Sequence, residues 1–144
     1  MFSKLKRFFN ADGADRSALA RAWFVLVGAR ALLWIFPFER VMSLVPARTQ
    51  DVQSPPDWIT AGRLSWAVQV ASGYVPVATC LSQALALQYL LNREGIGAEL
   101  KIGVARGSEG EVAAHAWVES HGRVLIGSLP DLFSYGVLRL KNRR

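Results

Sequence analysis

The chain has a single cysteine, Cys80, and only two histidines, His115 and His121. One thiol excludes an internal disulfide framework, so a reducing, cytoplasmic home is the simpler reading. No Cys/His cluster has metal-ligand spacing, so no structural or catalytic metal is expected, and no cofactor is implied. Acidic residues are scarce: 11 Asp and Glu stand against 17 Lys and Arg, for a net charge of +6 and a pI near 10.1. No reading helix or base-stacking sheet accompanies that charge, so nucleic acid is not an expected partner. An anionic membrane surface or an acidic peptide would fit it. Long apolar runs are also missing. Ala22–Ala29 and Ala31–Phe36 are split by Arg30 and stopped by Pro37. Neither approaches the ~20 residues of a spanning helix. A cleaved signal peptide fits badly too, because the polar lead carries Asp12 and Asp15. The segment reads as a buried or docking helix, suited to a partner or to peripheral membrane contact.

What is present is a core-forming composition, 51% hydrophobic with five tryptophans, enough for one domain with a helical extension. After a basic lead over Met1–Gly13, a helix is expected from Asp15 or Ser17 to about Phe36, with a second over Phe38–Val45. Ala47–Asp57, with Ser54-Pro55-Pro56, reads as a linker. Trp58–Ser72 carries an apolar helical stripe ending near Gly73, and Thr79–Arg93 is a further helix closed by Gly95. The period then changes from helical to alternating. Ala98–Ala105, Val112–Glu119 and Arg123–Ile126 read as strands, with a three-residue turn at Ser120–Gly122 and a last strand over Tyr135–Leu140. The fold class expected is α+β: a helical region and linker over 1–57, then a core over 58–144 ending in an antiparallel meander.

Two residues carry the chemistry. Thr79 is the N-cap candidate of the Cys80 helix, which puts the thiol in the first turn. The orphan N–H groups and positive dipole end there favour thiolate, the reactive form. His115 lies on an apparent strand, on one face with Trp117 and Glu119. A lone cysteine with a separate histidine is the elementary pattern of a Cys-His hydrolase or acyltransferase, and a buried structural cysteine gives the same count.

The ordered set Cys80-Leu-Ser-Gln-Ala-Leu-Ala-Leu, Leu90-Leu-Asn-Arg-Glu-Gly-Ile96, Leu100-Lys-Ile-Gly-Val104, Ala114-His-Ala-Trp-Val-Glu119 and Gly122-Arg-Val-Leu-Ile-Gly127 resembles the lasso-peptide B proteins. Arg63-Leu-Ser-Trp-Ala-Val68, and Pro76 ahead of the cysteine, extend the likeness to roughly Ala18–Leu140. These are transglutaminase-like cysteine proteases that remove the leader from a ribosomal precursor peptide. The resemblance implies a transglutaminase-like (papain-like) core, with the cysteine helix packed on an antiparallel sheet. The opening helical sequence leaves no room for the winged-helix leader-binding domain of the fused form, so the split form is expected. Its partners would be the precursor peptide, a separate small leader-binding protein and an ATP-dependent, asparagine-synthetase-like macrocyclase.

On that resemblance Cys80 is the nucleophile and His115 the acid–base. The backbone N–H of Cys80 is one oxyanion donor. Gln69 lies upstream of the cysteine but at unfamiliar spacing, and reads better as an exposed helix residue. The family's aspartate falls at Gly127. A three-residue turn would pair Glu119 with Arg123 and place Gly127 opposite His115, where a side chain is needed to orient the imidazole. Asp131 is the expected substitute, with Ser128 and the more remote Glu119 as alternatives. A rival class keeps the fold without chemistry, as a scaffold that binds peptide or partner. Acyl transfer or amide hydrolysis on another substrate is the third reading.

Overall fold

A computed structural model describes residues 13–44, 57–75, 78–130 and 132–137. The basic lead, most of the Ala47–Asp57 linker, Pro76, Asp131 and the end of the last expected strand lie outside the described residues. Four helices precede the sheet: α1 (Gly13–Ile35), α2 (Phe38–Leu44), α3 (Trp58–Ser72) and α4 (Cys80–Arg93). Strands β1 (Glu99–Arg106), β2 (Val112–Ser120), β3 (Arg123–Ile126) and β4 (Gly136–Val137) follow, with a short 3₁₀ turn at Leu132–Ser134. The class is α+β, as expected.

Helix ends are fixed by side chains. Asp57 caps α3, accepting from the N–H groups of Ile59 and Thr60 at 3.1 Å each. Those hydrogen bonds, led by the one from the Thr60 hydroxyl, hold the Asp57 carboxyl below its usual range. At the start of α4, Thr79 Oγ1 accepts from Ser82 N at 3.2 Å while Ser82 Oγ accepts from Thr79 N at 2.9 Å. This reciprocal capping box satisfies two donors that would otherwise be orphaned. Gly95, with φ +70°, follows the other end of α4, where a left-handed residue costs glycine nothing.

α4 is the central helix. Ala84, Ala86, Leu87 and Leu91 are fully buried, which requires neighbours on every side. It lies along the inner face of the sheet, α3 packs beside it and against β3, and α1 packs across α3 and α4. The two ends of the chain thus share one core: Ala22 and Leu26 of α1 join Leu64 and Val68 of α3 and Leu100 and Val118 of the sheet. Inside it, Gln88 Nε2 donates to Ala98 O at 2.9 Å, tying α4 to the chain entering β1.

The strand order is β3-β2-β1-β4, all neighbours antiparallel. Three details differ from the sequence expectation. The β2–β3 turn has two residues rather than three. His121 (φ +48°) and Gly122 (φ +79°) both take left-handed backbone, the arrangement that matches strand twist, so Ser120 pairs with Arg123. A bulge then intervenes: Glu119 pairs with Val124 but Val118 with Ile126, leaving Leu125 extra. Ser65 Oγ of α3 donates to the Leu125 carbonyl at this irregularity. The sheet is also more than a meander. From β3 the chain crosses the outer face, and β4 pairs with β1, Gly103 against Val137.

Candidate functional site

Alternation along β2 gives its two faces different work. Ala116 and Val118 point into the core under α4; His115, Trp117 and Glu119 occupy the outer face. The crossing segment after β3 covers that outer face. Trp117 is only 2% exposed, the His115 and Trp117 rings stack at 6.1 Å, and Tyr135 sits 5.8 Å from the imidazole. Gly103, opposite His115 on β1, leaves the space for this packing: a Cβ there would lie 2.9 Å from both the Trp117 ring and Tyr135 Cβ.

Among the described residues the imidazole has one hydrogen-bond partner, the backbone carbonyl of Gly127, 2.6 Å from Nε2. A carbonyl only accepts, so Nε2 is the donor in this contact, and among the described residues no hydrogen bond engages Nδ1. A peptide oxygen thus holds one ring nitrogen, while Asp131, the acidic residue expected to orient the ring, lies outside the described residues. The expected register needs correcting here. With the two-residue turn and the bulge, Gly127 follows the Val118–Ile126 pair, so its Cα sits by Trp117 rather than opposite His115. Its φ is +84°, and a Cβ would stand 2.7 Å from Ala116 O and 2.8 Å from Trp117 Cβ. An aspartate does not fit this backbone.

Cys80 is the first residue of α4, half-buried and packed against the edge of the core. Its helix packs on the strand that carries His115, but no hydrogen bond joins the thiol to the imidazole among the described residues. Asp131 lies outside the described residues. Ser128 is exposed. Glu119 turns away from His115. Its carboxylate accepts from Trp117 Nε1 at 2.8 Å and from Lys101 Nζ at 2.9 Å. Burial pushes that carboxyl up, and the two hydrogen bonds outweigh it, leaving Glu119 below its ordinary value; the same hydrogen bond raises Lys101. Gln69 is exposed and donates to Ser65 Oγ at 3.2 Å. Among the described residues no three His, Cys, Asp or Glu side chains come together as a metal site would need. Sequence reasoning missed the Gly127 carbonyl and Tyr135. The signal for the first was a glycine at the end of a strand beside a tryptophan, read as a missing side chain rather than a shaped backbone.

A cysteine on a capped helix start, packed on an antiparallel sheet whose second strand bears a histidine, is a transglutaminase-like arrangement. Residues 23–139 match the family described as the transglutaminase-like superfamily, and the chain belongs to that superfamily. No curated protein and no solved structure matches the chain.

Proposed function

We propose that this protein is a cysteine protease that removes the leader from a lasso-peptide precursor, with Cys80 as nucleophile and His115 as acid–base. The superfamily includes cysteine proteases. The observation that carries the reading is the hold on His115: its Nε2 donates to Gly127 O, and among the described residues no hydrogen bond engages Nδ1, the nitrogen a thiol would address. The ordered motifs from Cys80 to Gly127 supply the substrate class.

In the proposed reaction the Cys80 sulfur attacks the carbonyl carbon of the scissile leader–core bond, and the thiol proton passes to His115 Nδ1. The tetrahedral oxyanion accepts a hydrogen bond from the Cys80 backbone N–H, a donor left over at the helix start. Collapse breaks the C–N bond, and Nδ1–H protonates the departing core amine. Water, losing a proton to Nδ1, then hydrolyses the leader thioester and restores the thiol. A separate leader-binding protein positions the scissile bond, a contribution of several kcal/mol, on the order of 7–11 in favourable cases. The macrocyclase takes the freed core amine, and the free thiol suits the reducing cytoplasm.

The test is reconstitution with precursor and leader-binding protein, followed by mass spectrometry. Cleavage requires both components, and Cys80→Ala abolishes it. Full-rate processing by the chain alone would refute the split arrangement, and cleavage by Cys80→Ala would refute the protease. The unjoined thiol and imidazole favour one rival, a scaffold that binds the precursor without cutting it. That rival predicts a Cys80→Ala variant with undiminished binding and a wild type with no product.

A further inference from the structure

Among the described residues α1 is covered on one side. Ala18, Leu19, Ala22, Leu26 and Ala29 are buried against the rest of the helical layer. On the opposite side Trp23, Phe24 and Val27 lie one turn apart, and Trp34 and Ile35 return to the same face two turns after Val27, Phe24 being 69% and Trp34 82% exposed. Trp23 to Ile35 makes an apolar strip about 18 Å long at ~1.5 Å per residue. Arg21 and Arg30 lie on its flanks by helical position. The first 44 residues hold seven of the basic side chains against three acidic ones, so most of the excess positive charge belongs to this end. Just ahead of α1 the sequence Phe2-Ser-Lys-Leu-Lys-Arg-Phe-Phe9 interleaves bases with aromatics.

We propose that this face of α1 docks the protein on an anionic lipid surface, with the helix axis in the plane of the bilayer. Amphipathic tryptophan and phenylalanine side chains favour the headgroup boundary, and basic residues beside them are drawn to anionic lipid. A second copy of the chain is disfavoured as the occupant, because it brings the same positive charge. Spanning is disfavoured as well, although Gly13–Ile35 is long and apolar enough by length and composition. Insertion would strip the fully buried Ala22 and Leu26 from the core and break the Arg63–Asp15 and Arg21–Glu94 ion pairs, at 2.9 and 3.0 Å. It would also carry Arg21 and Arg30 toward hydrocarbon. The proposal holds whether or not Cys80 is a nucleophile.

The test is co-sedimentation of the full chain with vesicles of phosphatidylcholine mixed with phosphatidylglycerol, and with vesicles of phosphatidylcholine alone. The expected result is capture by the mixed vesicles, little by the neutral ones, and release as salt rises. Phe24→Ser with Trp34→Ser should lower the partition about tenfold or more. Both sites are exposed, so circular dichroism should be unchanged; Trp34→Ser alone should show a smaller loss. Lys4→Gln with Lys6→Gln should weaken capture by the mixed vesicles only. Equal capture by both vesicle types, or undiminished capture of the serine double variant, overturns the proposal. So does resistance to alkaline carbonate extraction, which marks a spanning helix. A dimer in sedimentation velocity that the serine variant dissociates, with no vesicle capture, would assign the face to a second copy instead.

Discussion

On its inner face the sheet meets α4 through Leu100, Ala116 and Val118, apolar side chains that need only the right volume. On its outer face each group has a named partner: His115 with Gly127 O, Glu119 with Trp117 and Lys101, Gly103 with the edge of Trp117. One face is held by burial, which is non-directional, and the other by geometry, which is not. Inner-face substitutions should therefore be graded by volume and outer-face ones by whether a particular atom can still be reached.

The largest effect expected is chemical. Cys80→Ala and His115→Ala should each lower precursor cleavage by about 10³-fold or more while leaving far-UV circular dichroism intact, the behaviour of a nucleophile and its base. Cleavage persisting in either purified variant would remove the catalytic distinction between these residues and their neighbours. Next come the two faces of the fold. Leu87→Ala, in the fully buried belt of α4, should cost about 2–5 kcal/mol in urea unfolding, and Leu87→Met under about 1.5. Gly127→Ala adds a single methyl, yet should cost about 2–4 kcal/mol, from a left-handed φ and a Cβ driven into the β2 backbone. Gly127→Asp should fare no better and should lose activity rather than complete a triad. If it folds as well as wild type, the outer face is not geometrically fixed.

The pH dependence gives a finer test. Glu119 is held below its ordinary value of 4.5, so the stability it contributes is present above pH 4.5 and is lost as pH falls through its lower folded value. Lys101 is raised above 10.5, so its share is present below pH 10.5 and is lost as pH rises through the folded value. The pair should support a plateau between those limits. Glu119→Gln should flatten the acid limb, by about 1 kcal/mol or less for a partly exposed pair. An acid limb unchanged in that variant would assign it to other carboxylates. Smallest of all should be Asp131→Asn. With Nε2 already held by Gly127, its effect on turnover is expected to be slight. A loss of orders of magnitude would instead make Asp131 the group that orients His115.

The sequence by itself determined the elements and their order. Thr79 and Gly95 are local signals, capping or ending a helix through groups a few residues away, so α4 was legible almost to the residue; α3 was legible from its apolar stripe, and the Asp57 cap was read as the end of a linker. Alternation in Ala98–Ala105 and Val112–Glu119 marked β1 and β2 and put His115 on a face with Trp117 and Glu119 for the same reason. Tertiary structure alone decided how those pieces meet. Whether His121 joins Gly122 in a two-residue turn, where Leu125 bulges, and that β4 returns to β1 all depend on contacts between residues distant along the chain. The partner of His115 was illegible on the same ground: it is a backbone carbonyl, and every residue has one. Only the folded path of Gly127, set by its φ and by the wall of Trp117, brings that oxygen to the imidazole.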